Sequence, residues 1–456
     1  MNKVQNYFSN LDSYIRSNRS KFEGLLGQLV EVPTISMDPT RKDDIRKGAN
    51  LAADYLREFG ARVKICETSG NPVLVGRFDA PGAKRTLTVY NHIDVQPAQE
   101  PEWTREPFAF VNDNGRYLGR GTTDDKGPAL TALLAARYAV ENGIPLSIQF
   151  IWELEEEIGS LHFEEFMKAN IAELKTDSVL VSDTLWISRK KPSIPYGLRG
   201  MVTAEMKLQT HSKDAHSGVT GGAARNPLAE LCQVVAQCFD VKTGRVKIPG
   251  FYADVKPVSK KEIESFVSSG FNLEKWKQIY GFRSLRTNNA AEVLKRIWAM
   301  PTFEVHGIVG GYTGPGVKTV VPPRGEVKFS CRLVPNQKPD KIFKLVKSYV
   351  KKVNPDVKVE LDGKLDPYLG DLGGVHTRCA VEAIQYGFSA SPAFIREGGS
   401  IGAVVTMQKY MKVPIVFIGL SLPEHGYHAP NENFDWGQAA GGVKTFVKYF
   451  ANIAEL

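Results

Sequence analysis

The stretch Leu87-Thr88-Val89-Tyr90-Asn91-His92-Ile93-Asp94 decides the fold, because a short apolar, β-rich run passes directly into a histidine and an acid. The same pattern returns three times. Leu146-Ser147-Ile148-Gln149-Phe150-Ile151 leads to Trp152-Glu153-Leu154-Glu155-Glu156-Glu157, Ser178-Val179-Leu180-Val181 leads to Ser182-Asp183, and Pro414-Ile415-Val416-Phe417-Ile418 precedes His425-Gly426-Tyr427-His428. Continuous apolar runs of this length, separated by helical stretches such as residues 129–140, predict strands buried on both faces of a mostly parallel sheet. In an open sheet of that kind the ligand site lies beyond the carboxyl ends of the strands. Four strands are therefore expected to deliver His, Glu and Asp side chains to one edge.

Working outward, Tyr14, Phe22, Leu25, Leu26 and Leu29, then Ala49, Leu51, Ala52, Tyr55 and Leu56, recur near helical spacing and predict helices over residues 10–60. The middle of the chain differs in kind. Residues 201–208 and 325–333 alternate apolar and polar, as in an antiparallel sheet with one face covered by helices and one face wet. The fold class read from this is α/β: a discontinuous domain of residues 1–196 and 371–456, interrupted by an inserted α+β domain of residues 197–370. Between the first two strands of the edge, Gly119-Arg120-Gly121-Thr122-Thr123-Asp124-Asp125-Lys126-Gly127-Pro128 is a glycine-rich turn entering a helix, with Pro128 suited to its first turn. It is no phosphate cradle, since GxxxxGK[ST] is absent and Asp124-Asp125 would repel phosphate.

Composition narrows the function classes. The 456 residues, 42% hydrophobic and 24% charged, belong to a globular protein rather than a disordered chain. A net charge of +8 is spread among acids without a dense Lys/Arg block, which argues against a nucleic-acid module. The five cysteines form no CxxC pair, arguing against a disulfide scaffold or a thiolate zinc cluster and for a reducing cytoplasm. Met1-Asn2-Lys3-Val4-Gln5-Asn6-Tyr7-Phe8 leads into a charged amphipathic stretch rather than a secretory leader, and no apolar run is long enough to span a membrane.

Carboxylates converging on a buried edge stay ionised only where cations compensate them. Imidazole and carboxylate without thiolate suit zinc, or manganese or cobalt, and six such groups suffice for a metal pair if one carboxylate bridges. Asp94, two positions after His92 along an extended segment, is placed to orient its imidazole.

In their order along the chain, His92-Ile93-Asp94, Gly119-Arg120-Gly121 with Asp124-Asp125-Lys126-Gly127, Glu156-Glu157-Ile158-Gly159-Ser160, Ser182-Asp183, His216-Ser217-Gly218, Arg332-Leu333-Val334-Pro335-Asn336, Arg396-Glu397-Gly398-Gly399-Ser400 and His428-Ala429-Pro430-Asn431-Glu432 resemble the motifs of the M20 metallopeptidases. The resemblance runs nearly end to end and is strongest to the cytosolic dipeptidase and carnosinase branch. It implies a zinc-peptidase-like catalytic domain with a lid and dimerisation domain, and two divalent metals, zinc first and manganese or cobalt next. It further implies that Asp124 bridges the metals, with His92 and Asp183 on one and Glu157 and His428 on the other. Glu156 would be the general base, Asp94 would hold His92, and the Asp124–Asp125 peptide would be cis. His216 would reach the oxyanion from the second subunit of a homodimer, and Arg332 would clamp the substrate's α-carboxylate with help from Thr319 and Ser400. His376 is a further substrate contact on this reading, and Glu397 would pair with the substrate amine. The expected partner is a small peptide, with neither nucleic acid nor membrane. An N-acyl-amino-acid deacylase keeps the same chemistry on another substrate, and a silent scaffold is disfavoured because every metal and base position is filled. Residues 251–301, and Ala429-Pro430 after His428, depart from the branch and leave substrate preference open.

Overall fold

The structure, a computed structural model, describes residues 7–456; residues 1–6 of the N-terminal stretch read above lie outside the described residues. A six-stranded sheet organises the first domain, in the order Arg62–Cys66, Val73–Phe78, Leu146–Glu153, Arg85–His92, Ser178–Val181, Ile415–Phe417. The last four are the strands expected from the apolar runs, and they are mutually parallel; the first two attach antiparallel.

Both faces of the parallel strands are covered, which is why their sequences are apolar without a break. Leu87, Val89, Ile148, Phe150 and Leu180 pack under the helices Lys42–Glu58, Gly127–Glu141, Val375–Phe388 and Trp436–Ala454. Tyr90, Ile151, Val179, Val181 and Phe417 pack on the opposite side with Phe163, Phe166, Val404 and Met407, from the helices Phe163–Asn170 and Gly402–Met411. The helix Lys42–Glu58 buries Ile45, Ala49, Ala52, Ala53 and Leu56, a stripe at helical spacing. Among the described residues no helix is long and apolar enough to cross a membrane.

The middle of the chain forms a four-stranded antiparallel sheet, ordered Glu304–Val309, Arg324–Leu333, Gly200–Gln209, Lys358–Leu365. Period-two alternation turns Val202, Ala204 and Met206, with Val327, Phe329 and Cys331, toward the helices Pro227–Cys238 and Pro339–Val353. It turns Arg332 and its cross-strand partner Met201 to the other face. Ser193–Leu198 leads into this sheet from the first domain and pairs parallel with Ala393–Glu397. Residues 251–301 contribute three helices, Lys260–Ser268, Leu273–Ile279 and Ala290–Ala299, and Phe266, Leu294 and Trp298 pack against Ala393 and Ile395.

Candidate metal centre

The carboxyl ends of the parallel strands converge as topology requires. His92 ends its strand, Asp183 follows Ser178–Val181, and Glu156 and Glu157 open a 3₁₀ turn just after Leu146–Glu153. His428 arrives on the loop after Ile415–Phe417, at a positive φ of 54°, a conformation that a non-glycine residue holds only where its surroundings impose it.

Asp124 lies between the two histidines. Its Oδ1 is 2.9 Å from His92 Nε2, and its Oδ2 is 2.8 Å from His428 Nε2. On the first side, Asp183 Oδ2 is 3.9 Å from His92 Nε2; on the second, Glu157 Oε2 is 3.1 Å from His428 Nε2. The contacts of His428 are short but lack hydrogen-bond alignment, and Asp124 Oδ2 is buried without a hydrogen-bond donor. Nitrogen and oxygen atoms spaced like this can each lie about 2.0–2.2 Å from a shared ion. Asp124, Glu157 and His428 form one potential ligand group; His92, Asp183 and the neighbouring Asp125 form another. Asp125 is partly engaged elsewhere, because its Oδ2 accepts from Asn91 Nδ2 at 2.7 Å. The Asp124–Asp125 peptide is cis.

The electrostatics call for positive charge. Burial pushes Glu157 and Asp183 up, Asp124 adding to both, and burial also drives Glu156 well up, with Asp183 and Glu157 adding. Against their own burial, the carboxylates hold both imidazoles in the charged form, His92 well above its usual range and His428 at about 11. A site that forces two histidines, one buried and one reaching the surface, to carry charge is a site whose donor set fits divalent cations.

Several side chains hold this arrangement. Asp94 acts differently from expectation: His92 Nδ1 donates to the Asp94 backbone carbonyl at 3.0 Å, whereas the carboxylate oxygen is 3.4 Å away. That carboxylate instead accepts the backbone N–H groups of Glu156 (3.2 Å) and Glu157 (3.1 Å), so Asp94 fixes the two glutamates as well as the histidine. Among the described residues the Glu156 carboxylate accepts no hydrogen bond, leaving it free to take a proton.

Sequence reasoning gave no role to Glu432, although it stands in the last motif. It is fully buried and accepts from the N–H groups of Gly121 (3.0 Å), Thr123 (2.9 Å) and Asp124 (3.1 Å) and from Arg120 Nη1 (2.9 Å), gripping the turn that carries Asp124. Gly127 follows that turn because a Cβ there would meet the Thr122 carbonyl at 2.2 Å. Tyr427, also unassigned from sequence, donates to Asp183 Oδ1. Its signal was its place beside His428. His425 lies behind the same turn, 3.0 Å from Thr123 Oγ1 and 3.1 Å from Asp435 Oδ2, and takes no place among the metal-facing groups.

The remaining candidates divide. Glu397 reaches the edge: burial pushes its carboxyl up to about 8, with Asp183 adding, and its Oε2 is buried without a partner. Arg332 Nη1 donates to Ser400 Oγ at 3.0 Å. His216 and Thr319 come together at a short antiparallel pair, Ala215–His216 with Val320–Val321, where Ser217 N donates to the Thr319 carbonyl at 3.0 Å. Neither has a hydrogen bond or ion pair to the metal-facing groups among the described residues. His376 must be corrected as a substrate contact within the chain. It faces Arg85 and Asp177, at the amino ends of the parallel strands, a full strand length from His92.

The sequence model of Peptidase family M20/M25/M40 matches residues 88–452. The chain is 30% identical over 464 residues to the Cys-Gly metallodipeptidase dug1 of Schizosaccharomyces pombe, spanning 97% of both chains. It is 29% identical over 467 residues to the Beta-Ala-His dipeptidase of Homo sapiens, spanning 97% of this chain and 92% of the relative. Among solved structures, the dipeptidase Dug1p of Saccharomyces cerevisiae superposes with a TM-score of 0.90 at 28% identity over the whole of both chains. Human carnosine dipeptidase 1 does so at 0.88 and 29% identity, covering 98% of this chain and 99% of that one.

Proposed function

The chain belongs to peptidase family M20/M25/M40, and on that premise we propose that it is a two-metal dipeptidase hydrolysing short peptides with a free C-terminal carboxylate. The observation that carries the reading is Asp124, offering one oxygen toward His92 and the other toward His428, with the unbonded Glu156 carboxylate alongside.

In this reading His92, Asp124 and Asp183 would hold one ion and Asp124, Glu157 and His428 the other, zinc being the first choice for such donors. When bound, the pair supplies a water acidified to near neutrality and a Lewis acid for the scissile carbonyl. Glu156 takes a proton from the attacking water and returns it to the departing amine. Arg332 receives the substrate carboxylate in its guanidinium fork, and Ser400 steadies that fork from Nη1. Glu397 receives the free amino group, and the arriving ammonium favours its ionised form. An acylated amine carries no such charge, so Glu397 favours a peptidase over a deacylase.

Residues 197–370 act as the lid and dimerisation domain of a cytoplasmic homodimer, in which His216, with Thr319 beside it, completes the partner subunit's site. The support is local: the exposed apolar side chains of Val219 and Val317 flank His216 and Thr319, a surface suited to contact with another chain. A chelator-treated sample assayed on a dipeptide panel, then given zinc or manganese, tests the reading. Cleavage returns with metal if it is correct; a panel untouched under all conditions sinks it.

A further inference from the structure

A cavity of about 1150 Å³ separates the uncovered face of the antiparallel sheet from residues 251–301, and it is rich in arginine. Most of these cations have partners. Arg296 pairs with Glu292 at 3.0 Å and donates to the Thr243 carbonyl at 2.8 Å. Arg286 donates to the Val241 carbonyl at 3.3 Å, and Arg245 lies 5.4 Å over the Tyr252 ring.

Two guanidiniums in the same cavity are left without an acid. Arg332 has Ser400 Oγ, and Arg199 Nε donates to the Gly398 carbonyl at 2.9 Å; among the described residues neither forms an ion pair. One hydroxyl links the two residues, since Ser400 Oγ accepts from the Arg332 guanidinium and donates to the Arg199 backbone carbonyl. Burial pulls the Arg199 guanidinium down to about 10, and the facing charge of Arg332 adds to this, with Glu304 opposing. Two shielded like charges, neither ion-paired and with Glu304 as the acid acting on Arg199, leave room and attraction for an anion. Arg332 alone suffices for one α-carboxylate, and the cavity beyond it is far larger than a carboxylate fills.

We propose that Arg199 receives a second anionic group, the side-chain carboxylate of the substrate's C-terminal residue, so that dipeptides ending in glutamate or aspartate are preferred substrates. The proposal rests on the dipeptidase reading above. It makes Arg199 a residue that sets specificity, distinct from the clamp on the α-carboxylate.

The test compares kcat/KM for Ala-Glu and Ala-Gln, which differ in charge and scarcely in shape, on the metal-loaded enzyme. The expected ratio is about 10- to 100-fold in favour of Ala-Glu, the range for a buried charged partner gained or lost. Arg199→Gln lowers Ala-Glu turnover at least about tenfold more than Ala-Gln turnover, and Arg199→Lys, which keeps the charge, retains part of the preference. A wild-type ratio near one, or an Arg199→Gln variant that lowers both substrates equally, overturns the proposal. A second readout needs no turnover: glutarate raises the melting temperature of the wild type more than glutaramide does, and Arg199→Gln abolishes the difference. Glutarate selectivity that needs Arg199, found with no dipeptide cleaved, would keep the anion site and remove the dipeptidase reading. Cleavage without glutamate preference would do the reverse.

Discussion

The two sheets of this protein solve opposite electrostatic problems. At the carboxyl ends of the parallel sheet, Asp124, Glu156, Glu157 and Asp183 crowd around two imidazoles, and the site calls for cations. Across the uncovered face of the antiparallel sheet, Arg332 and Arg199 stand without ion-pair partners among the described residues, and the site calls for anions. A net charge of +8 over the chain conceals both. The contrast shows why a bond is cut at one place and a chain end recognised at another: a dipeptide presents a scissile carbonyl, an amine and a carboxylate, and the two regions offer complements to each.

The sharpest way to break the comparison is to disarm the acidic edge while leaving its potential metal ligands in place. Glu156→Gln is expected to lower kcat by about 10²–10⁴-fold while the purified protein still binds two metal equivalents, measured by elemental analysis beside steady-state kinetics. Retained turnover would remove Glu156 from its role.

Next in size is the support beneath that edge. Glu432→Gln leaves the buried Arg120 charge with only the partly exposed Glu100, 4.0 Å away, and loosens three backbone N–H groups around Asp124. A loss of about 3–5 kcal/mol in urea unfolding is expected, with weakened metal retention. A midpoint within experimental scatter of the wild type would show that the turn is held by other contacts.

On the cationic side, Arg332→Lys keeps the charge and loses the fork. It should raise KM for dipeptides by about 10- to 100-fold, with a smaller change in kcat, as read from full saturation curves. An equal fall in kcat at unchanged KM would assign Arg332 to the transition state instead.

The smallest expected effect is on pH dependence. His425, the Gln438 amide and Arg189 outweigh burial and hold Asp435 down at about 2. A depressed carboxyl contributes stability that is present above its unfolded value near 3.9 and lost as pH falls through about 2. Asp435→Asn, lacking that contribution, should be about 1 kcal/mol less stable at pH 7, and the gap should narrow between pH 5 and pH 3 in parallel urea titrations. A gap that stays constant over this range would mean that the side chain acts only as the cap of the helix Trp436–Ala454.

The parallel strands were legible from sequence because burial on both faces leaves an unbroken apolar run, and the alternating strands because burial on one face leaves a period of two. Helix 42–58 carries the same information at helical spacing. Their places beyond those strands made His92, Glu156, Glu157, Asp183 and His428 visible as candidates, the glycine-rich turn did the same for Asp124, and motif resemblance added which of them share an ion. Glu432 and Tyr427 escaped because their partners lie far off in the chain: Glu432 holds residues 120–124 and Tyr427 holds Asp183. His376 was misplaced for the same reason, since a histidine at a helix start says nothing of which end of the sheet it faces.

The sequence by itself therefore determined the elements, the order in which acids and histidines follow strands, and the class of ions such donors attract; these depend on local periodicity and side-chain chemistry. Only the tertiary structure decided that the two oxygens of Asp124 face different histidines, that Asp94 holds two glutamates by their backbone, and that Arg199 lines one cavity with Arg332, neither of them ion-paired among the described residues. These are matters of distance and direction between residues tens to hundreds of positions apart, and packing alone fixes them.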